Sequence, residues 1–136
     1  MNPTAAAKAV KNPVEQENMR RVHVQDGLVL TRFLRWMKEH AGEKGLDEWT
    51  AGEYLDKLRL EQKNCLDMSF TTISAWGPNA AMCHYTASET EKSSVPNKGL
   101  YLVDSGGQYY EGTTDVTRTI AIGHVTDEMK VHFTLV

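Results

Sequence analysis

The chain has 136 residues, of which 40% are hydrophobic and 24% charged, with a formal net charge of −3; this is the balance of one ordinary globular domain. The weak negative charge excludes the basic footprint of a protein that binds nucleic acid or an anionic membrane. No apolar run reaches the roughly 18 residues of a membrane span, and the alanine- and lysine-rich N-terminus lacks the apolar centre of a signal peptide, so the expected location is cytoplasmic, with no nucleic-acid or membrane partner.

Cys65 and Cys83 form no CxxC pair. In a reducing compartment they read as small core hydrophobes, not as a disulfide or a zinc site. Residues 1–11 read as a tail or linker. Asn12 is a good helix cap, Pro13 suits the first helical position, and Glu15 complements the helix dipole. From there to about His40, Val22, Val29, Phe33, Trp36 and Met37 recur near helical spacing, and Gly42 and Gly45 supply the stop. A second helix is expected from Thr50, with Glu53 closing a capping box and Trp49 and Tyr54 a hydrophobic staple. It should run to about Lys63 and bury Tyr54, Leu55 and Leu58.

Beyond Asn64 the composition turns β-branched and aromatic. Met68–Trp76 reads as a strand broken by Gly77-Pro78-Asn79, Met82–Thr86 as a short strand, and Ser88–Lys98 as a loop. Gly99–Val103 and Val116–Ile122 are further strands, and Thr126 caps a last helix carrying Met129, Val131, Phe133 and Leu135. The chain ends within that helical pattern without a stop signal, as a truncated domain would. Two helices, several short strands and a helix make an α+β order with a mostly antiparallel sheet.

The chemistry concentrates in Asp104–Thr119. Asp104 follows an apolar strand, and Asp115 opens the next one 11 positions on (115 − 104), with three glycines between them. Pairing Asp104 with Asp115 places Leu102 opposite Thr117, Leu100 opposite Thr119, Val103 opposite Val116, and Tyr101 opposite Arg118 in a cation–aromatic contact. Two carboxylates so placed repel unless a proton or a cation lies between them. A two-metal centre needs bridging carboxylates, whereas Asp beside Gly after a strand is also ordinary turn chemistry. The residues alone leave both readings open. His84, by spacing alone, is a partly buried strand histidine with a satisfied hydrogen bond. His124 and His132 read as surface residues, and His23 and His40 have no evident partner.

The string DSGGQYYEGTTDVTRT, with Asp104, Gly106, Tyr109, Asp115, Val116, Thr117, Arg118 and Thr119, resembles the signature of the pita-bread metallopeptidases, family M24. KNPVEQENMR, DGLVLTRFLRW and FTTISAWGPNAAMCHY resemble its cytosolic-type Xaa-Pro aminopeptidase subgroup. The resemblance covers nearly all of the chain after residue 10. It implies the first half of a pita-bread fold, with 12–136 a partial catalytic domain truncated at its C-terminal end. It further implies hydrolysis of the bond between an N-terminal residue and a following proline. Asp104 and Asp115 are then metal ligands, the second bridging two divalent ions, with manganese the usual metal and zinc or cobalt as alternatives. His84 then contacts substrate and steadies the developing oxyanion. One His, two Glu and an assisting His are expected beyond Val136, so this chain alone should be inactive. The partner is a peptide with proline in its second position, and the full-length protein is a candidate homodimer. A prolidase cleaving Xaa-Pro dipeptides, a non-catalytic binding module of the same fold and an inactive fragment stand as alternatives.

Overall fold

The structure is a computed structural model and describes residues 2–136. The expected tail forms a short helix, α1 (Pro3–Ala9), because Asn2 accepts from the Thr4 N–H, Pro3 starts the turn and alanines continue it. None of its residues is buried.

α2 (Pro13–His40) begins where the cap residues indicate. Asn12 Oδ1 accepts from the Glu15 N–H at 2.9 Å, and Glu15 returns the bond to the Asn12 N–H at 2.9 Å, a reciprocal capping box. Its buried stripe is Val22, Asp26, Val29, Leu30, Phe33 and Met37, while Trp36 is partly buried. α3 (Glu48–Leu60) starts earlier than expected. Asp47, not Thr50, is the cap, and Thr50 is the third helical residue answering it. That start makes Glu48 the first helical residue, with its carboxylate buried. The helix ends at Leu60, short of Lys63, because turn bonds from Glu61 and Gln62 close it. Trp36 packs on Tyr54 with ring centroids 4.3 Å apart, joining the two helices.

All strand pairs are antiparallel. β1 (Cys65–Met68) pairs with β4 (Gly107–Tyr109), and β2 (Ile73–Trp76), β3 (Leu100–Ser105) and β5 (Val116–Ala121) form a sheet in the order β2-β3-β5. The α+β class is as expected. The run Met68–Trp76 divides into two strands because β1 follows β4 and β2 follows β3. Met82–Thr86 is not a strand: Gly77–Ala81 forms a 3-10 turn, and the chain turns again through Cys83 and His84. α4 (Asp127–Leu135) is capped by Thr126 as expected, with none of its residues buried.

The core lies between one face of the sheet and the two long helices. Tyr101 and Val103 of β3 meet Phe33, Met37, Val29 and Leu55, all almost fully buried. Tyr101 therefore faces Ile120, and its hydroxyl bonds Ser74 Oγ at 2.7 Å; the expected contact with Arg118 is absent because Arg118 pairs with Val103 and is exposed. The cysteines are not core residues. Cys65 is half-buried at the start of an edge strand, and Cys83 is exposed in the turn, where no element packs over it. Among the described residues no helix is long and apolar enough to cross a membrane.

Candidate metal-binding hairpin

β3, β4 and β5 are stations on one long hairpin. Asp104 pairs with Thr117 and Ser105 with Val116. The same register continues through the Thr114 N–H on Gly107 O, the Gln108–Thr113 bridge and the Tyr109 N–H on Gly112 O. The tip is Tyr110-Glu111. Opposition of Asp104 to Asp115 had centred the turn on Tyr109-Tyr110, so the observed register is shifted by two residues. Tyr109 explains the shift. Its ring is buried and its hydroxyl bonds Asp26 Oδ1 at 2.7 Å, so it cannot occupy an exposed tip, whereas Tyr110 is 77% exposed.

A two-residue shift keeps every side chain on its face. Asp104 lies on the side of Leu100 and Leu102, away from the helices, and Thr117 faces it. Strand alternation returns Asp115 to the side of Thr117, diagonal to Asp104. Such diagonal positions are roughly 7–8 Å apart in a regular pair. Two carboxylates at that separation meet more readily through a shared cation than by direct contact.

Asp104 is half-buried and Asp115 exposed. Asp104 Oδ1 is buried and has no hydrogen-bond partner among the described residues. A buried carboxylate oxygen without a donor carries a desolvation penalty that a cation relieves. Hard oxygen donors fit a divalent ion such as manganese or magnesium. No third His, Cys, Asp or Glu joins them in a metal-holding group among the described residues.

His84 lies on a separate segment of the chain, not on the hairpin. It is exposed in the turn after the 3-10 segment, at φ 58°, a left-handed conformation uncommon for a residue with a side chain. No hydrogen bond links it to either aspartate; its own carbonyl accepts a 3.5 Å bond from Thr86 Oγ1. The expected strand environment is absent because Tyr85 N–H bonds Met82 O and closes a turn. His124 and His132 are exposed; His23 bonds Met19 O, and His40 stacks on Trp36 with centroids 4.9 Å apart.

Two buried carboxylates escaped the sequence reading. Glu48 accepts from the Trp76 and Ser93 N–H groups, Asn79 Nδ2 and the Tyr85 hydroxyl, at 2.7–3.1 Å. It thus ties the turn bearing His84 to α3. The Tyr85 phenol is pushed up to about 12 by burial and by its bond to Glu48. Asp26 accepts from Arg59 Nε at 2.7 Å and Nη2 at 3.2 Å, Tyr109 Oη at 2.7 Å and Thr114 Oγ1 at 3.0 Å. Burial raises its pKa, but the Arg59 hydrogen bond and charge, then the two hydroxyls, outweigh this and hold it below the ordinary carboxylate value. A signal for Asp26 was present: it sits at the fourth position after Val22 and the third before Val29, inside the apolar stripe. A charge at such a position requires a buried partner.

Gly106 is the closest-packed point of the hairpin. A Cβ there would lie 1.9 Å from Thr114 O and 2.5 Å from Ser69 Oγ. Only glycine permits this approach.

Residues 17–136 match metallopeptidase family M24. A probable Xaa-Pro aminopeptidase P from Paracoccidioides brasiliensis (strain Pb18) is 42% identical over 99% of this chain and 22% of its own length. One from Chaetomium globosum is 44% identical over 99% of this chain, again 22% of its own length. The crystal structure of an X-prolyl aminopeptidase from Caenorhabditis elegans, a cytosolic enzyme with a di-nuclear active site, superposes with a TM-score of 0.87 at 38% identity. It covers 96% of this chain and 22% of that one. The chain thus spans about a fifth of the length of these relatives. Its helices and antiparallel strands form part of the pita-bread fold, and the chain belongs to metallopeptidase family M24.

Proposed function

We propose that the chain supplies part of the catalytic domain of an Xaa-Pro aminopeptidase, which releases an N-terminal residue preceding proline. The observation that carries this reading is the pair Asp104 and Asp115 on one hairpin face, with a buried Asp104 oxygen that lacks a donor among the described residues. The similarity to X-prolyl aminopeptidases supports the substrate class.

Asp104 and Asp115 would be the residues of this chain that hold two divalent ions, manganese before zinc or cobalt. A dinuclear centre bound there supplies a Lewis acid that polarises the scissile carbonyl and activates water as a nucleophile. The chain's own residues hold the carboxylates rigidly: β2 and β5 flank β3 on both sides, and Leu100 and Leu102 line the same face with apolar surface. His84, on its turn anchored by Glu48, offers an imidazole to the substrate or the developing oxyanion. The remaining ligands come from outside residues 1–136, the site acts on a peptide with proline second, and the intact protein works in the cytosol, as the nematode relative does.

The full-length protein, assayed with manganese on a proline-second tripeptide and on the matching Xaa-Pro dipeptide, separates the readings. Preferential release of the first residue from the tripeptide is expected. Cleavage confined to the dipeptide identifies a prolidase, and cleavage of neither a non-catalytic member of the fold.

A further inference from the structure

Thr114 immediately precedes Asp115, and every polar atom it owns is committed. Its N–H donates to Gly107 O at 2.9 Å, and its carbonyl accepts from Ser69 Oγ at 2.8 Å. Its hydroxyl donates to Asp26 Oδ2 at 3.0 Å while accepting from the Gly107 N–H at 2.9 Å. The residue is fully buried, as is Asp26, whereas Asp115 is exposed.

Exposed carboxylates at strand ends normally sample several positions, and ordering them for a ligand costs conformational entropy. Here the peptide leading into Asp115 is held from three directions: by the facing strand, by Ser69 after β1, and by the ionised Asp26 on α2. Asp26 is itself fixed by Arg59 on α3. On the far side of Asp115, Val116 pairs with Ser105, next to Asp104. Both neighbours of Asp115 are therefore locked while its side chain stays free to bind.

We propose that Thr114, anchored on Asp26, is a positioning residue for the metal centre: it fixes the backbone of Asp115 relative to Asp104 and so sets metal affinity. The inference rests on the reading of Asp115 as a metal ligand.

The test uses the full-length protein, with manganese affinity by calorimetric titration and thermal unfolding of the metal-free form measured side by side. Thr114→Val keeps the shape and removes the hydroxyl, and is expected to weaken manganese binding by about 10–100-fold, the usual effect of losing an outer-shell partner of a metal site. Thr114→Ser, which retains the hydroxyl, restores affinity. Ser69→Ala, a milder change that frees the Thr114 carbonyl, weakens binding in the same direction should Thr114→Val fail to fold. Tyr101→Phe removes a buried hydrogen bond, to Ser74 Oγ, that involves neither Thr114 nor Asp26; it lowers the unfolding temperature and leaves affinity within about twofold of wild type. Unchanged manganese affinity in Thr114→Val or Ser69→Ala overturns the proposal. Equal weakening by Tyr101→Phe also overturns it, reducing the network to general stability. Asp115→Ala is the separate control: if it loads manganese as wild type does, the metal reading itself has failed.

Discussion

Replacing Asp115 by alanine in the full-length protein is expected to lower kcat/KM on a proline-second peptide by more than about 100-fold. Loss of an outer-shell partner alone typically costs about 10–100-fold, and loss of a direct ligand, the role proposed for Asp115, should cost more. Asp104→Ala should act comparably, because its buried oxygen has no partner among the described residues that could compensate or relax. Both side chains lie on the face away from the helices, so neither change should disturb the core. Steady-state kinetics with circular dichroism as the folding control measures this. Activity within a few-fold of wild type in either variant would remove that aspartate from the centre.

The largest expected effect on stability is at Arg59. Its side chain is fully buried beside Asp26, and Nη1 already lacks a partner among the described residues. Arg59→Ala leaves Asp26 buried with only hydroxyl donors, and removing one member of a buried pair typically costs about 3–5 kcal/mol. The effect is pH-dependent. In the wild type the Asp26 pKa is depressed, so its contribution is complete above the unfolded carboxylate value of about 4 and is lost as pH falls through the lower folded value. Without Arg59 the burial penalty dominates, the folded pKa rises, and protonation relieves the mutant as pH falls. The stability gap between wild type and Arg59→Ala should therefore be widest near neutrality and narrow below about pH 4. Denaturation followed by tryptophan fluorescence across that range reads it; a gap independent of pH would show that Arg59 acts by packing alone.

The same pair shows what was legible in the sequence. The α2 stripe through Val22, Val29, Phe33 and Met37 follows from spacing, and so does its cap at Asn12; the return bond from Glu15 emerges only in the structure. These are local signals. The α3 cap was misplaced because Thr50 and Glu53 satisfy the capping-box pattern as well as Asp47 and Thr50 do. What decides between them is the distant demand of Trp76, Asn79, Tyr85 and Ser93 for the Glu48 carboxylate. The faces of Asp104 and Asp115 follow from period-two alternation, but the register does not. It depends on Tyr109 reaching Asp26, 83 positions away. The β-rich neighbours of His84 suggest a strand, yet the chain forms a 3-10 segment over Gly77–Ala81 and then a separate turn at Cys83 and His84. For the α3 cap and the hairpin register the information lay in contacts between residues far apart in the chain, whereas the turn at His84 is local.

Asp104 and Asp115 are proposed to form one part of a dinuclear centre completed by residues outside 1–136. Calorimetric titration with manganese, run on residues 1–136 and on the full-length protein, tests this most directly. Two carboxylates leave most coordination positions of two ions to water, and a hard cation so held gains little over its hydration. The expected result is weak or no binding by residues 1–136 and two ions bound per full-length chain. Tight binding of two ions by residues 1–136, or a full-length protein that binds none, would contradict it.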